Sequence, residues 1–183
     1  MTKKVIRTGL IGLALAMLAV GSFALAAKGK KNIHSDELTG YQETSSATPA
    51  GVSSPGTGSF SVSINENAAT ISFELTYSGL SAAATVAHIH FGNRFTSGGV
   101  SAFLCGGGGK PDCPEGTTTE AVVTGTIAAS DVVGPTAQGI APGEFDEFVR
   151  AIRAGVTYVN VHNSTFPSGE IRGQINDDNQ RQP

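Results

Sequence analysis

Two neighbouring stretches alternate apolar and polar residues with a period of two, and this alternation limits the fold more than any other feature of the chain. Phe60, Val62 and Ile64 alternate with Ser59, Ser61 and Ser63, and Ile71, Phe73, Leu75 and Tyr77 alternate with Thr70, Ser72, Glu74 and Thr76. Successive side chains of a strand point to opposite faces, so each stretch reads as a strand with one apolar and one polar face. Asn65-Glu66-Asn67 between them reads as a hairpin turn. Further strands are expected at 37–44, 85–91, 100–104, 121–127, 156–162 and 170–175, most of them short and separated by turns containing Gly or Pro. The pattern predicts a mainly β chain, an antiparallel β-sandwich or Greek-key-like barrel. One window departs from it. Between Gly143 and Gly155, Phe145, Phe148, Val149 and Ile152 stand at helical spacing, with Pro142 before them and Gly155 after. This predicts a short amphipathic helix over about 143–155 that covers part of the core.

The ends read differently from the middle. Lys3, Lys4 and Arg7 precede an apolar run from Thr8 to Phe23, which closes in Ala24-Leu25-Ala26. That is the pattern of a cleavable signal peptide over 1–26. The expected division is then a polar tail at 27–36, one β domain at 37–175 and a polar C-terminal tail at 176–183. Cleavage leaves no apolar run long enough for a stable membrane span, and the expected location is secreted or periplasmic. The formal charge of the whole chain is −3, and loss of the leader makes the remainder more acidic. The remaining basic cluster is Lys28, Lys30 and Lys31 in the expected tail, so nucleic acid is not an expected partner.

Both methionines, Met1 and Met17, fall in the leader, and the chain has no Trp. Cys105 and Cys113 flank a Gly-rich segment, Gly106 to Gly109. In an oxidising compartment such a pair reads as a local disulfide. The rival is a dithiolate metal site, which this spacing fits poorly. The Gly run lacks the Lys-Ser/Thr and helix of a phosphate-binding loop. No Gly-x-Ser-x-Gly elbow is present, and Asn163-Ser164-Thr165 is a formal glycosylation sequon.

The histidines carry the chemistry. His88 and His90 are two residues apart and share one face of a strand, with Ala87, Ile89 and Phe91 on the other. Their Cβ atoms should lie roughly 6.5–7 Å apart, close enough for two imidazoles to meet on one ion. His162 shares a face with Tyr158 and Asn160, while Val159 and Val161 face the other way. On the next strand Glu170, Arg172 and Gln174 share a face opposite Ile171 and Ile175. If these polar faces are adjacent, His88, His90 and His162 form a three-imidazole site for Cu²⁺ or Zn²⁺, with Asn160, Glu170 and Arg172 around it. Glu170 could be a fourth ligand, an acceptor for an imidazole N–H, or the ion-pair partner of Arg172, the last being the simplest expectation. His34 falls in the expected tail. A hydrogen-bonded histidine face without metal is the alternative.

Several stretches together resemble the chordin-type (CHRD) domain family. They are Leu38-Thr39-Gly40-Tyr41-Gln42-Glu43; Gly79-Leu80 with Ala87-His88-Ile89-His90-Phe91-Gly92; Phe103-Leu104-Cys105 with Cys113-Pro114; and Gly155-Val156-Thr157-Tyr158-Val159-Asn160-Val161-His162 with Pro167-Ser168-Gly169-Glu170-Ile171-Arg172-Gly173-Gln174-Ile175. The resemblance implies a secreted β-rich domain and no particular reaction. His88-Ile89-His90 is also similar to the His-x-His strand of copper-zinc superoxide dismutases, although no His-rich zinc loop accompanies it. Three functions follow from this reading. The first is divalent metal binding, for buffering or delivery. The second is an extracellular interaction module with a protein partner and no metal. The third is dismutase-like redox chemistry.

Overall fold

The computed structural model describes residues 33–44 and 51–177. The leader expected at 1–26, the first part of the expected N-terminal tail and the last residues of the expected C-terminal one lie outside this range. Eight strands are present: β1 (Ile33–Thr39), β2 (Thr57–Asn65), β3 (Thr70–Ser78), β4 (Ala84–Phe91), β5 (Gly99–Cys105), β6 (Ala121–Ala128), β7 (Thr157–Asn163) and β8 (Ile171–Asp177). They form a single sheet in the order β5-β4-β7-β8-β1-β2-β3-β6, and every pairing is antiparallel. The chain is mainly antiparallel β with one short helix, as the alternation predicts. Instead of splitting into two layers, the one sheet wraps until its edge strands β5 and β6 touch.

The inward face of the sheet forms the core. Phe60, Ile71, Leu75, Ile89, Leu104, Ile127, Val159, Val161, Ile171 and Ile175 are all 2% exposed or less. The helix α1 (Phe145–Arg153) adds Phe148 and Ile152 to this core. Asp146 and Glu147 stand in its first turn and Arg150 and Arg153 in its last, the order that suits the helix dipole. The helix stops at Gly155, whose φ is +64°. The Gly155 N–H donates to Ile152 O at 3.0 Å and the Val156 N–H to Ala151 O at 3.2 Å. This pair of bonds satisfies the last carbonyls through a left-handed residue, a conformation glycine adopts without a steric penalty.

Two boundaries differ from the sequence expectation. The tail expected at 27–36 is already strand from Ile33 onward, and the strand expected at 37–44 ends at Thr39, followed by a 3₁₀ turn at Gly40–Gln42. A bulge explains the mismatch. The β1 register shifts between Ser35 and Leu38, so Ile33, Ser35 and Leu38 are the buried positions and no unbroken period of two survives to be read. At the other end β8 continues to Asp177, pairing with Ile33, so the tail expected from 176 starts later. His34 lies in β1, opposite Ser61 and Asn176, and not in a tail.

Cys105 and Cys113 are joined in a disulfide with Cα atoms 5.0 Å apart. The loop it closes spans the gap between the edge strands. Within it, Lys110 Nζ donates to Thr126 O on β6 and to Asp131 Oδ2, both at 2.9 Å.

Candidate metal centre

Strands β4, β7 and β8 are neighbours, and their register aligns the polar face expected from the sequence. His88 stands opposite Asn160, which stands opposite Arg172; His90 stands opposite Tyr158, which stands opposite Gln174. His162 is one step along, paired with Val86. This outward face is not open to water. Segments 40–44, 51–56 and 92–98 lie over it, so His88, His90 and His162 are only 7–9% exposed and Asn160 only 2%.

The three imidazoles converge, and one ring nitrogen from each lies within 4.8 Å of the other two. The His90 Nδ1–H donates to Gly98 O at 2.9 Å, and the His162 Nδ1–H donates to Pro167 O at 3.0 Å. A neutral imidazole has one N–H, so both rings turn an Nε2 lone pair inward. His88 presents Nδ1, 3.1 Å from His90 Nε2. Asn160 Oδ1 lies 2.9 Å from His162 Nε2 and 3.4 Å from His88 Nδ1. Burial is the main cause holding the rings neutral. It pushes His88 down to about 3 and His90 to about 4, and it lowers His162 as well. Repulsion among the imidazoles adds to this at His88 and His90.

The surroundings fix these groups in place. Tyr158 stacks on His90, with ring centroids 4.7 Å apart, and its hydroxyl accepts from the Gly98 N–H at 3.1 Å. Phe103 packs edge-on against His88 at 5.0 Å. Arg172, 1% exposed, lies over the Tyr158 ring at 3.3 Å. It donates to Asn93 O at 3.1 Å and Thr44 O at 3.4 Å, tying down two covering segments. Asn160 Nδ2 donates to Glu43 Oε2 at 3.5 Å, an acceptor 117 residues away in sequence. The Glu43 carboxyl is pushed up to about 7, chiefly by burial; the Thr44 N–H, the charge of Arg172 and the Asn160 amide act against the rise. Gly169 (φ +119°) leaves room for this contact, because a Cβ there would sit 2.3 Å from Glu43 Oε2.

Not every expected residue joins the cluster. Glu170 is fully buried at the end of the sheet. Its carboxylate accepts from the Ser81 N–H at 2.9 Å, from Ser81 Oγ at 3.0 Å, and from Ser54 and Asn163. It anchors two loops, and no ion pair joins it to Arg172 among the described residues. The acidic groups that bear electrostatically on Arg172 are Tyr158 and Glu43. Residue parity does not identify Glu43, since it lies in a covering segment and not on a strand, although it closes the Leu38–Glu43 motif. The Asn163 amide of the sequon is 1% exposed and donates to Ala82 O at 3.2 Å as well as to Glu170.

The donor set suits a divalent ion. His90 Nε2, His162 Nε2 and Asn160 Oδ1 are acceptors, and His88 Nδ1 alone can supply a proton among them. Four donors about 2.0–2.1 Å from one ion lie about 2.9 Å apart as neighbours in a plane and about 3.3 Å apart in a tetrahedron. Three of the separations, 2.9, 3.1 and 3.4 Å, lie close to those values, and the three imidazole nitrogens lie within 4.8 Å of one another. No sulfur donor takes part, so soft Cu⁺ is a poor match and Zn²⁺ or Cu²⁺ a good one.

No curated protein and no solved structure matches this chain. A model of the CHRD domain matches residues 35–175, from the first residues of β1 to the last core residue of β8. That span takes in β2 to β7 whole and most of β1 and β8, with the disulfide, His88, His90 and His162, and the chain belongs to the CHRD domain family.

Proposed function

We propose that this CHRD domain binds a divalent transition metal, Zn²⁺ or Cu²⁺, through His88, His90 and His162, and serves to hold or deliver it outside the cytoplasm. One observation carries the reading: two imidazoles have Nδ1–H bonded to backbone carbonyls, which aims both Nε2 lone pairs at the third ring. Metal-ligating histidines are held by outer hydrogen bonds of this kind. The leader-like residues 1–26 and the Cys105–Cys113 disulfide support an exported, oxidising setting. Calorimetric titration of metal-stripped protein with Zn²⁺ and Cu²⁺ tests the reading. Wild type should bind one ion, and His88→Ala, His90→Ala and His162→Ala should each weaken binding sharply. His34→Ala, at a β1 position outside the cluster, should change little. Unchanged binding in all three variants, or none in wild type, removes the site.

A second reading is favoured by the 3.1 Å contact of His88 Nδ1 with His90 Nε2, which is itself a satisfactory hydrogen bond. The face would then be a structural network, and the domain an extracellular module that recognises a protein partner. That reading leaves His162 Nε2 set against Asn160 Oδ1 at 2.9 Å, acceptor to acceptor, with the one Nδ1–H of the ring already given to Pro167.

A further inference from the structure

The three-histidine reading leaves open whether the ion keeps a free position for substrate or solvent. Catalytic zinc sites keep one, and structural sites are closed by protein ligands. Asn160 decides this. It stands opposite His88 across the β4–β7 ladder, and its amide oxygen neighbours two of the three imidazoles, 2.9 Å from His162 Nε2 and 3.4 Å from His88 Nδ1. The amide is held at its other end, because Nδ2 donates to Glu43 Oε2. This orientation directs Oδ1, and not Nδ2, at the ring nitrogens. An amide oxygen set 2.9 Å from the His162 Nε2 lone pair is repelled by it unless a cation lies between. With an ion there, all four lone pairs have one acceptor of charge.

Resting on the metal reading above, we infer that Asn160 Oδ1 is the fourth ligand, so that the centre is a closed N₃O site that stores or transfers an ion and does not turn over a substrate on it. Burial agrees with this assignment. Phe103 flanks His88 and Tyr158 flanks His90, and Asn160 is 2% exposed, which closes these sides of the cluster to an incoming anion. Glu43 is the positioning residue, acting through the amide.

Co²⁺ titration of the exported chain, followed by visible absorption with and without azide, tests the assignment. Wild type should give the intense absorption of four-coordinate Co²⁺, unchanged by azide. Asn160→Ala should bind Co²⁺ about tenfold more weakly or worse, the scale of losing a group that supports a metal site, and its spectrum should shift on adding azide. A wild-type spectrum that azide shifts as it shifts that of the variant overturns the fourth-ligand assignment while leaving the three-histidine site intact. No Co²⁺ binding by wild type overturns the metal reading itself. Should Asn160→Ala not fold, Zn²⁺ added to wild type labelled with ¹³C and ¹⁵N at Asn gives the same answer. The Asn160 side-chain carbonyl resonance should move in step with occupancy, and an unmoved resonance at full occupancy overturns the assignment.

Discussion

The two halves of the single sheet share one architecture and carry opposite chemistry on their outward faces. In β2, β3 and β6 the outward residues are Ser61, Ser72, Glu74, Thr124 and Thr126, all exposed to water; Ser59 and Thr76 pair through their hydroxyls at 2.9 Å. In β4, β7 and β8 the outward residues are His88, His90, Tyr158, Asn160, His162, Arg172 and Gln174, all buried. The inward faces are alike, with Phe60, Leu75, Ile127, Val159 and Ile175 in one continuous core. The difference lies in what covers the sheet. Hydroxyls facing water need no further partner. A buried guanidinium, carboxyl or imidazole does, and Thr44, Asn93, Gly98 and Pro167 supply backbone carbonyls for that purpose. Groups of this kind are costly to bury unless each is paired, which makes the covered half the part of the molecule most sensitive to change.

The comparison can be broken most directly at Arg172. Arg172→Ala removes the guanidinium from the Tyr158 ring and leaves the Asn93 and Thr44 carbonyls without their donor. The expected loss is about 2–4 kcal/mol in urea unfolding, the scale of buried acceptors left unsatisfied. Glu74→Ala, an equivalent change of a charged residue on the open half, should stay within about 0.5 kcal/mol. Equal losses at the two sites would end the distinction.

Metal should separate the halves next. Ligand at 100 times its dissociation constant stabilises the folded state by about 2.7 kcal/mol. Zn²⁺ should therefore raise the melting temperature of wild type measurably, but not that of His90→Ala. In hydrogen exchange, protection should increase in β4 and β7 and stay level in β3 and β6.

The pH dependence follows from the direction of the shifts. His88, His90 and His162 are held below the ordinary histidine value when folded. As pH falls below about 6.5 the unfolded chain takes up protons that the folded chain does not. Stability should then drop by about 1.4 kcal/mol per pH unit for each neutral imidazole, for His88 and His90 down to their folded values of about 3 and about 4. Glu43 acts in the opposite sense. Its folded value is raised to about 7, so its contribution is complete below its unfolded value near 4.5 and is lost as pH rises through 7. Together these make the stability of the metal-free protein rise to about pH 7 and level off there, and Glu43→Gln should steepen the rise between about pH 4.5 and 7 by removing the opposing slope. Binding that depends on neutral imidazoles should also persist below pH 6.5, where exposed histidines would already be charged. Denaturant unfolding from pH 4 to 9 measures both arms, and stability rising steadily toward pH 4 would contradict the burial of the rings.

The smallest expected effects lie on the open half. Ser61→Ala and Ser72→Ala should each change stability by no more than about 0.5 kcal/mol and leave metal binding unchanged. A larger effect in chemical denaturation would mean that this face is covered too.

Much of this arrangement is local and therefore visible in the residues themselves. The period of two identifies β2 and β3, places His88 with His90, and sets Asn160 and His162 opposite Val159 and Val161, because the side chains of a strand alternate for steric reasons within the strand. The change to helical spacing marks α1 in the same way, and its observed span, Phe145–Arg153, falls inside the expected window. The alternation fails at β1, where the bulge between Ser35 and Leu38 breaks the pattern. It also misleads at Glu170, which shares residue parity with Arg172 but turns at the strand end to Ser54, Ser81 and Asn163.

What the sequence by itself determined is therefore the set of strands, the helix and the face on which each histidine lies. Only the tertiary structure decided that β7 lies between β4 and β8, that Glu43 reaches Asn160, and that the polar face is covered. Those facts depend on residues such as Glu43 and Asn160, which are 117 positions apart. Strand order and loop coverage are set by the summed packing of distant segments, and no single stretch of chain records that sum.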